Sequence, residues 1–227
     1  MEEEGGFIVG IIIGMAGKAR SGKDTFAGYL MECLKERHQR YFKHAAFADQ
    51  LKAMCQEHFE LFYEQLWGNQ KEIQDNRFIK PPPKVISSSA VLDPYWTPRE
   101  IMQEIGSFYR RIDHDFWVKS LNLHLITNDI KDAIITDVRH INECEYIKIN
   151  KGMLIKISRE DDEEIHGMQH ESETALDDMS NDYFDIEINN FGTLENLREA
   201  AEDTSDAIIM MENMIKKGRI VKDGKEE

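Results

Sequence analysis

Hydrophobic residues follow two rhythms along this chain. Short apolar runs recur at Phe7 to Ile13, Ala45 to Phe47, Ala133 to Ile135 and Met153 to Ile157, with Asp185 to Ile188 as a fifth candidate. Such runs predict strands, and the unbroken first one predicts a strand buried on both faces. Between them the spacing becomes that of helices. Phe26, Leu30, Cys33 and Leu34 recur on one helical face up to about Arg37. Leu194, Leu197, Ala201, Ile208 and Met211 form the expected inward face of a long terminal helix over Leu194 to Ile215. Strands alternating with helices predict an α/β fold built on a doubly wound parallel sheet.

The stretch from Gly68 to Trp96 breaks the alternation. Its Pro81-Pro82-Pro83 and Ser87-Ser88-Ser89 runs favour an extended loop. Thr97-Pro98-Arg99-Glu100 then reads as a helix start, with Thr97 as N-cap, Pro98 at the first position and Glu100 completing a capping box. Ile101, Ile105 and Phe108 are expected on its buried face. Trp117, Leu121 and Leu125 share an apolar face on the next helix. The organisation expected is a single domain over residues 1–227 with an insertion at about 50–115.

Composition narrows the partners. The 28 Lys and Arg stand against 43 Asp and Glu, a net charge of −15 over 227 residues. The mean field repels polyanions, so neither nucleic acid nor an anionic membrane is an expected partner. A small anionic ligand held by a local basic cluster remains compatible. Cys33, Cys55 and Cys144 form no CxxC pair and read as reduced thiols. Met1-Glu2-Glu3-Glu4 is acidic where a secretory leader would be basic, and the apolar run ending at Ile13 is too short to span a bilayer. A soluble, cytoplasmic protein is expected.

The local basic cluster lies at Gly17-Lys18-Ala19-Arg20-Ser21-Gly22-Lys23-Asp24-Thr25. It matches the P-loop pattern G-x-x-x-x-G-K, directly after a predicted strand and at the opening of a predicted helix. Its glycines let backbone N–H groups curl round a phosphate chain, the helix N-terminus adds partial positive charge, and Lys23 reaches the β and γ phosphates. Gly17 to Thr25 are therefore the candidate ATP site. The residue after Lys23 is Asp24, where Ser or Thr is usual, and the hydroxyl follows at Thr25. Asp24 reads either as a group that orients Mg²⁺ waters or the acceptor, or as a plain helix N-terminal acid.

With the loop come Phe47-Ala48-Asp49-Gln50-Leu51-Lys52, Thr97-Pro98-Arg99 with Gln103 and Gly106, Phe116-Trp117, Asp137-Val138-Arg139 with Asn142-Glu143, Ser172-Glu173 and Asn189-Asn190. In this set and order the chain resembles the phage deoxynucleoside monophosphate kinases and, more distantly, phosphomevalonate kinase. The resemblance implies a P-loop kinase fold with an acceptor-binding insertion and a lid. It implies ATP as donor, Mg²⁺ as cofactor, a deoxynucleoside monophosphate as acceptor, and a host cytoplasm if the source is a phage. A homodimer is an open alternative to a monomer.

The residues themselves agree with those roles. Ligands of an α/β sheet sit beyond the carboxyl ends of its strands, where Asp49, Lys52, Asp137 and Arg139 follow predicted strands. Asp137, with Thr25, suits Mg²⁺, directly or through water. Lys52, Arg99, Gln103 and Arg139 suit an acceptor phosphate, and the resemblance adds Asp49, Glu143 and Glu173 to the acceptor side. Alternatives stay open: Lys52 as a solvated helix position, Arg99 as a first-turn surface residue, Arg139 as an ion-pair partner of Asp137 or Glu143. Trp117 reads as core or as a base-stacking platform.

The acidic segment after Ser158 is the candidate lid, at about 159–173, with Arg159 and Arg20 joining Lys23 and Asp24 as candidate catalytic residues. Gly167 between His166 and His170 argues against a zinc pair. In similar kinases the Asn189-Asn190 turn approaches adenine, which makes Asn190 an ATP-binding candidate; its alternative is a turn with Thr193 as N-cap. The expected reaction is transfer of the γ-phosphoryl of ATP to a deoxynucleoside monophosphate. Its rivals are a phosphomevalonate kinase-like enzyme and a P-loop nucleotide-binding switch without catalysis.

Overall fold

Ile12, Ile13, Met15 and Ala16 are all buried, so strand β1 (Ile12–Ala16) is covered on both faces, as an apolar run without alternation requires. The structure, a computed structural model, describes residues 10–18, 20–81, 94–159 and 183–216. Of the run expected from Phe7, residues 7–9 lie outside the described residues. The strand continues three residues past Ile13, up to the loop glycine.

Two compact units make up the chain: Met1–Ala46 together with His124–Glu227, and Phe47–Leu123. The first holds a five-stranded sheet with β1 at its centre. Its other strands are β2 (Lys43–Ala45), β5 (Ala133–Val138), β6 (Met153–Ser158) and β7 (Ile186–Asn189). The order is β2-β5-β1-β6-β7 and every pairing is parallel. This is the doubly wound α/β architecture of a P-loop kinase. The chain moves outward from β1 to β2, returns to β5 beside β1, then crosses to β6 and β7 on the other side. The loops beyond β1 therefore diverge, and its carboxyl end faces the crevice where such sheets bind ligands.

Helix α1 (Lys23–His38) lies against the terminal helix α7 (Leu194–Lys216). Phe26, Leu30 and Leu34 share one apolar cluster with Leu197, Ala201 and Ile208. Leu194, expected inward, is 64% exposed because it sits in the first turn, ahead of the face that meets α1. Ion pairs rim the contact: Arg37 with Glu202 at 3.2 Å and Asp206 at 2.6 Å, and Arg40 with Glu212 at 2.6 Å. Helix α6 (Ile141–Ile149) links β5 to β6.

The second unit contains α2 (Phe47–Phe59), the short α3 (Tyr63–Leu66), β3 (Asp75–Ile79), β4 (Tyr95–Trp96), α4 (Pro98–Ile112) and most of α5 (Phe116–Thr127). Where an extended loop is expected, β3 and β4 form an antiparallel ribbon, and residues 82–93 between them lie outside the described residues. Backbone pairing does not need the apolar signature that identifies a strand from sequence. The Thr97 capping box is present: Thr97 Oγ1 accepts from Glu100 N at 3.2 Å, and Glu100 Oε2 accepts from Thr97 N at 2.8 Å. Phe108, expected buried, is 47% exposed beneath the Arg111 guanidinium, since the buried stripe of α4 runs through Ile101 and Gly106 instead.

A small apolar cluster, Cys55, Leu61 and Leu66, anchors this unit, and a polar knot reinforces it. Asp75 is only 8% exposed and accepts from Arg77 Nε at 2.9 Å, Arg77 NH2 at 2.6 Å and Gln65 Nε2 at 2.9 Å. The Arg77 guanidinium, with help from Gln65, holds the Asp75 carboxyl well below the usual carboxylate range against the opposing effect of burial. Asp75→Ala should destabilise this unit by about 1–3 kcal/mol, because Gln65 and Arg77 lose their acceptor. Trp67, Trp96 and Trp117 all lie in this unit, so tryptophan fluorescence during urea unfolding reports on it specifically. A depressed folded pKa contributes stability above the unfolded value of about 3.9 and loses it as pH falls towards the folded value. The stability gap between wild type and Asp75→Asn should therefore narrow as pH drops from 5 to below about 3.

Candidate active site

The turn from β1 to α1 dictates the geometry of the loop. Gly17 has φ 150°, and a Cβ there would lie 2.2 Å from the Ile157 carbonyl oxygen of neighbouring β6. Gly22, the N-cap of α1, has φ 97° and ψ 10°. Arg20 is also left-handed, with φ 65°, whereas Ser21 between them is not. Left-handed residues on either side of Ser21 make the turn tight, and the Ser21 N–H bonds the Lys18 carbonyl at 3.3 Å across it. Ser21 is buried, Arg20 is exposed, and Asp24 and Thr25 are exposed in the first turn of α1. Ala19 lies outside the described residues.

The Lys23 ammonium folds back over its own loop. Nζ donates to the carbonyls of Gly17 and Lys18, both at 2.6 Å, and reaches Ser21 Oγ at 3.4 Å. The charge is thus positioned by loop carbonyls, and the long third contact is the one most cheaply exchanged for a phosphate oxygen. Asn190, expected beside adenine, donates from Nδ2 to the Ser21 carbonyl at 2.9 Å, while its backbone N–H bonds Ser158 O at 2.8 Å. The turn-and-cap alternative is also present, since Thr193 Oγ1 accepts from Asn196 N at 3.3 Å.

Ala16 of β1 pairs with Val138 of β5, so Asp137 and Arg139 leave the sheet level with the start of the phosphate loop. Both are partly buried. Glu143, expected to touch the acceptor, is 2% exposed, and its Oε2 accepts from the backbone N–H groups of Arg139 at 2.7 Å and His140 at 3.1 Å. Its carboxylate therefore braces the turn that presents Arg139. Arg159 is exposed immediately past β6. The rest of the expected lid, with Glu173, His166 and His170, lies outside the described residues.

In the second unit, Arg99 and Gln103 sit one turn apart on α4. Arg99 Nε donates to Glu72, and its backbone N–H bonds Lys71 O at 3.0 Å. Lys52 lies 3.8 Å from Asp49 and 5.6 Å from the centre of the Trp67 ring. Trp117 corrects the stacking expectation. It is 3% exposed, its Nε1–H donates to the Gly106 carbonyl at 3.1 Å, and Tyr109 and Phe116 pack on its ring. A ring enclosed in this way has no face to offer a base.

The profile of the deoxynucleotide monophosphate kinase family matches residues 54–201, well over half of the chain. The chain belongs to the deoxynucleotide monophosphate kinase family. A protein of Acanthamoeba polyphaga mimivirus, named "Putative deoxynucleotide monophosphate kinase", is 32% identical over 164 residues, 66% of this chain and 74% of that protein. The family match begins beyond Thr25, so it does not rest on the loop from Gly17 to Thr25. Among the described residues no helix is long and apolar enough to cross a membrane.

Two braces of this kinase escape sequence reasoning. Asn190 meets Ser21 across 169 positions of chain, and no local pattern announces such a contact. Glu143 carried a signal, since it stands three residues after His140 at a helix start, the capping-box spacing. Glu143→Ala should lower stability by about 1–2 kcal/mol, because two part-buried backbone N–H groups lose the bond to the Glu143 carboxylate. Glu143→Gln, whose amide oxygen still accepts, should lose much less in thermal unfolding followed by circular dichroism.

Proposed function

We propose that this kinase transfers the γ-phosphoryl group of ATP to a deoxynucleoside monophosphate, giving ADP and a deoxynucleoside diphosphate. The observation that carries the reading is the phosphate loop, with the Lys23 ammonium fixed over it, in a chain whose family match lies outside that loop. An oxygen of the acceptor phosphate attacks Pγ in line, the bond from Pγ to the β,γ-bridging oxygen breaks, and ADP leaves with that electron pair. The attacking oxygen is already anionic, so no strong general base is required.

The loop from Gly17 to Thr25 cradles the triphosphate, and Lys23, Arg20 and Arg159 neutralise charge on the moving phosphoryl. Asp24, Thr25 and Asp137 are hard oxygen donors of the kind Mg²⁺ takes, directly or through water. Bound there, Mg²⁺ would neutralise phosphate charge. Arg139 presents its charge from the turn braced by Glu143. Lys52, Arg99 and Gln103 of the second unit serve the acceptor, for which Asp49 holds Lys52 in place.

The test is ADP release with ATP, Mg²⁺ and a panel of deoxynucleoside and ribonucleoside monophosphates, with phosphomevalonate as control. At least one deoxynucleotide should turn over and phosphomevalonate should not. Lys23→Ala should lower turnover by about 100-fold or more while the circular dichroism spectrum is unchanged. Turnover of phosphomevalonate alone would overturn the acceptor assignment. Arg99→Ala should raise the KM for the deoxynucleotide and leave the KM for ATP nearly unchanged; the reverse pattern would move Arg99 to the donor.

A further inference from the structure

A trans peptide is planar, and its carbonyl and N–H point to opposite sides. Fixing one end of that dipole therefore fixes the other. In the phosphate loop the Ser21–Gly22 peptide is held by its carbonyl, which accepts from Asn190 Nδ2 at 2.9 Å. The Gly22 N–H is thereby turned to the face away from Asn190. Rotated by half a turn, the same peptide would aim the Ser21 carbonyl, a partial negative charge, where the N–H now points. Glycine at position 22 does little to resist that rotation, since it tolerates either sign of φ.

We infer that Asn190 is a positioning residue that locks the Ser21–Gly22 peptide with its N–H towards the bound phosphate. Three observations carry this. Asn190 is itself fixed, because its backbone N–H bonds Ser158 O at 2.8 Å at the carboxyl end of β6. The fit is close, since a Cβ on Gly22 would lie 2.5 Å from Asn190 Nδ2. The neighbouring positions have little freedom to compensate: Ser21 is buried, and Phe26 N bonds Gly22 O at 2.9 Å. The adjoining turn is closed by Thr193 and Asn196, so Asn190 is not needed as the cap of α7. Its side chain serves the loop.

The inference rests on the ATP-site reading above, and the experiment separates the two. Magnesium-ADP is titrated into ¹⁵N-labelled full-length protein, with the Gly22 amide resonance and the dissociation constant as readouts. Wild type should bind and shift the Gly22 amide downfield. Asn190→Ala should weaken ADP binding about tenfold, the size of one net hydrogen bond, and broaden or displace the Gly22 resonance before ligand is added. Its melting temperature should stay within a few degrees of wild type. If that variant does not fold, Asn190→Asp keeps the volume, replaces the donor by an acceptor, and should weaken binding at least as much. Variants that bind ADP as tightly as wild type, with an unaltered Gly22 amide, would overturn the inference and leave the ATP site intact. A wild-type protein that does not bind ADP would overturn both.

Discussion

A strand buried on both faces leaves its sheet with backbone groups that the next helix cannot satisfy. Between Ala16 and Lys23 those groups are handled in two ways. Carbonyls of Gly17, Lys18 and Ser21 receive donors from Lys23 and Asn190. Within the loop itself, the Ser21 N–H bonds the Lys18 carbonyl at 3.3 Å. In the proposed reading, this turn and the N-terminus of α1 cradle the triphosphate of ATP.

Much of the first unit supports this one turn. The absence of a Cβ at Gly17 lets the Ile157 carbonyl come within contact, which ties the loop to β6. Asn190 ties it to the end of β7, and the parallel register of β1 with β5 sets Asp137 and Arg139 beside its first residue. Behind the loop, α1 is held rigid by α7 through a shared apolar cluster and peripheral ion pairs. Those ion pairs are exposed and each contributes little; the apolar contact does the holding. Cys144, pushed up to about 12 by burial, is a protonated packing group rather than a reactive thiol.

The second unit is stabilised differently. Phe47–Leu123 is short for a self-contained core, and its apolar cluster is correspondingly small. Paired charges add what the cluster lacks. Besides the Asp75 knot, Lys80 Nζ donates to Glu100 Oε1 at 2.7 Å while Glu100 also closes the cap of α4. Burial raises the Glu100 pKa, yet the bonds from Lys80 and Thr97 outweigh it and keep the carboxyl below its ordinary range. Cap, ribbon and helix start are thereby joined through one side chain. Arg99 and Gln103 project from the helix so fixed.

The sequence by itself determined whatever depends on neighbours in the chain. Apolar runs located the five strands of the sheet to within a few residues, the Thr97 box located α4, and the G-x-x-x-x-G-K spacing located the turn from β1 to α1. These are local facts: a strand's burial, a cap and a tight turn are each written in fewer than ten consecutive residues. Tertiary structure decided what depends on distant partners. Ribbon β3–β4 formed at the two ends of the stretch read as a loop, because pairing required no apolar code. Phe108 and Leu194 turned outward although their spacing matched buried neighbours, since a helix presents only one stripe to its support. Trp117 became core once Gly106 took its N–H, and Glu143 became a brace once its turn closed over it. Asn190 found Ser21 only because β7 was laid down two places from β1, a proximity set by sheet order. Contacts of that kind arise from packing in three dimensions, and a one-dimensional pattern contains no term for them.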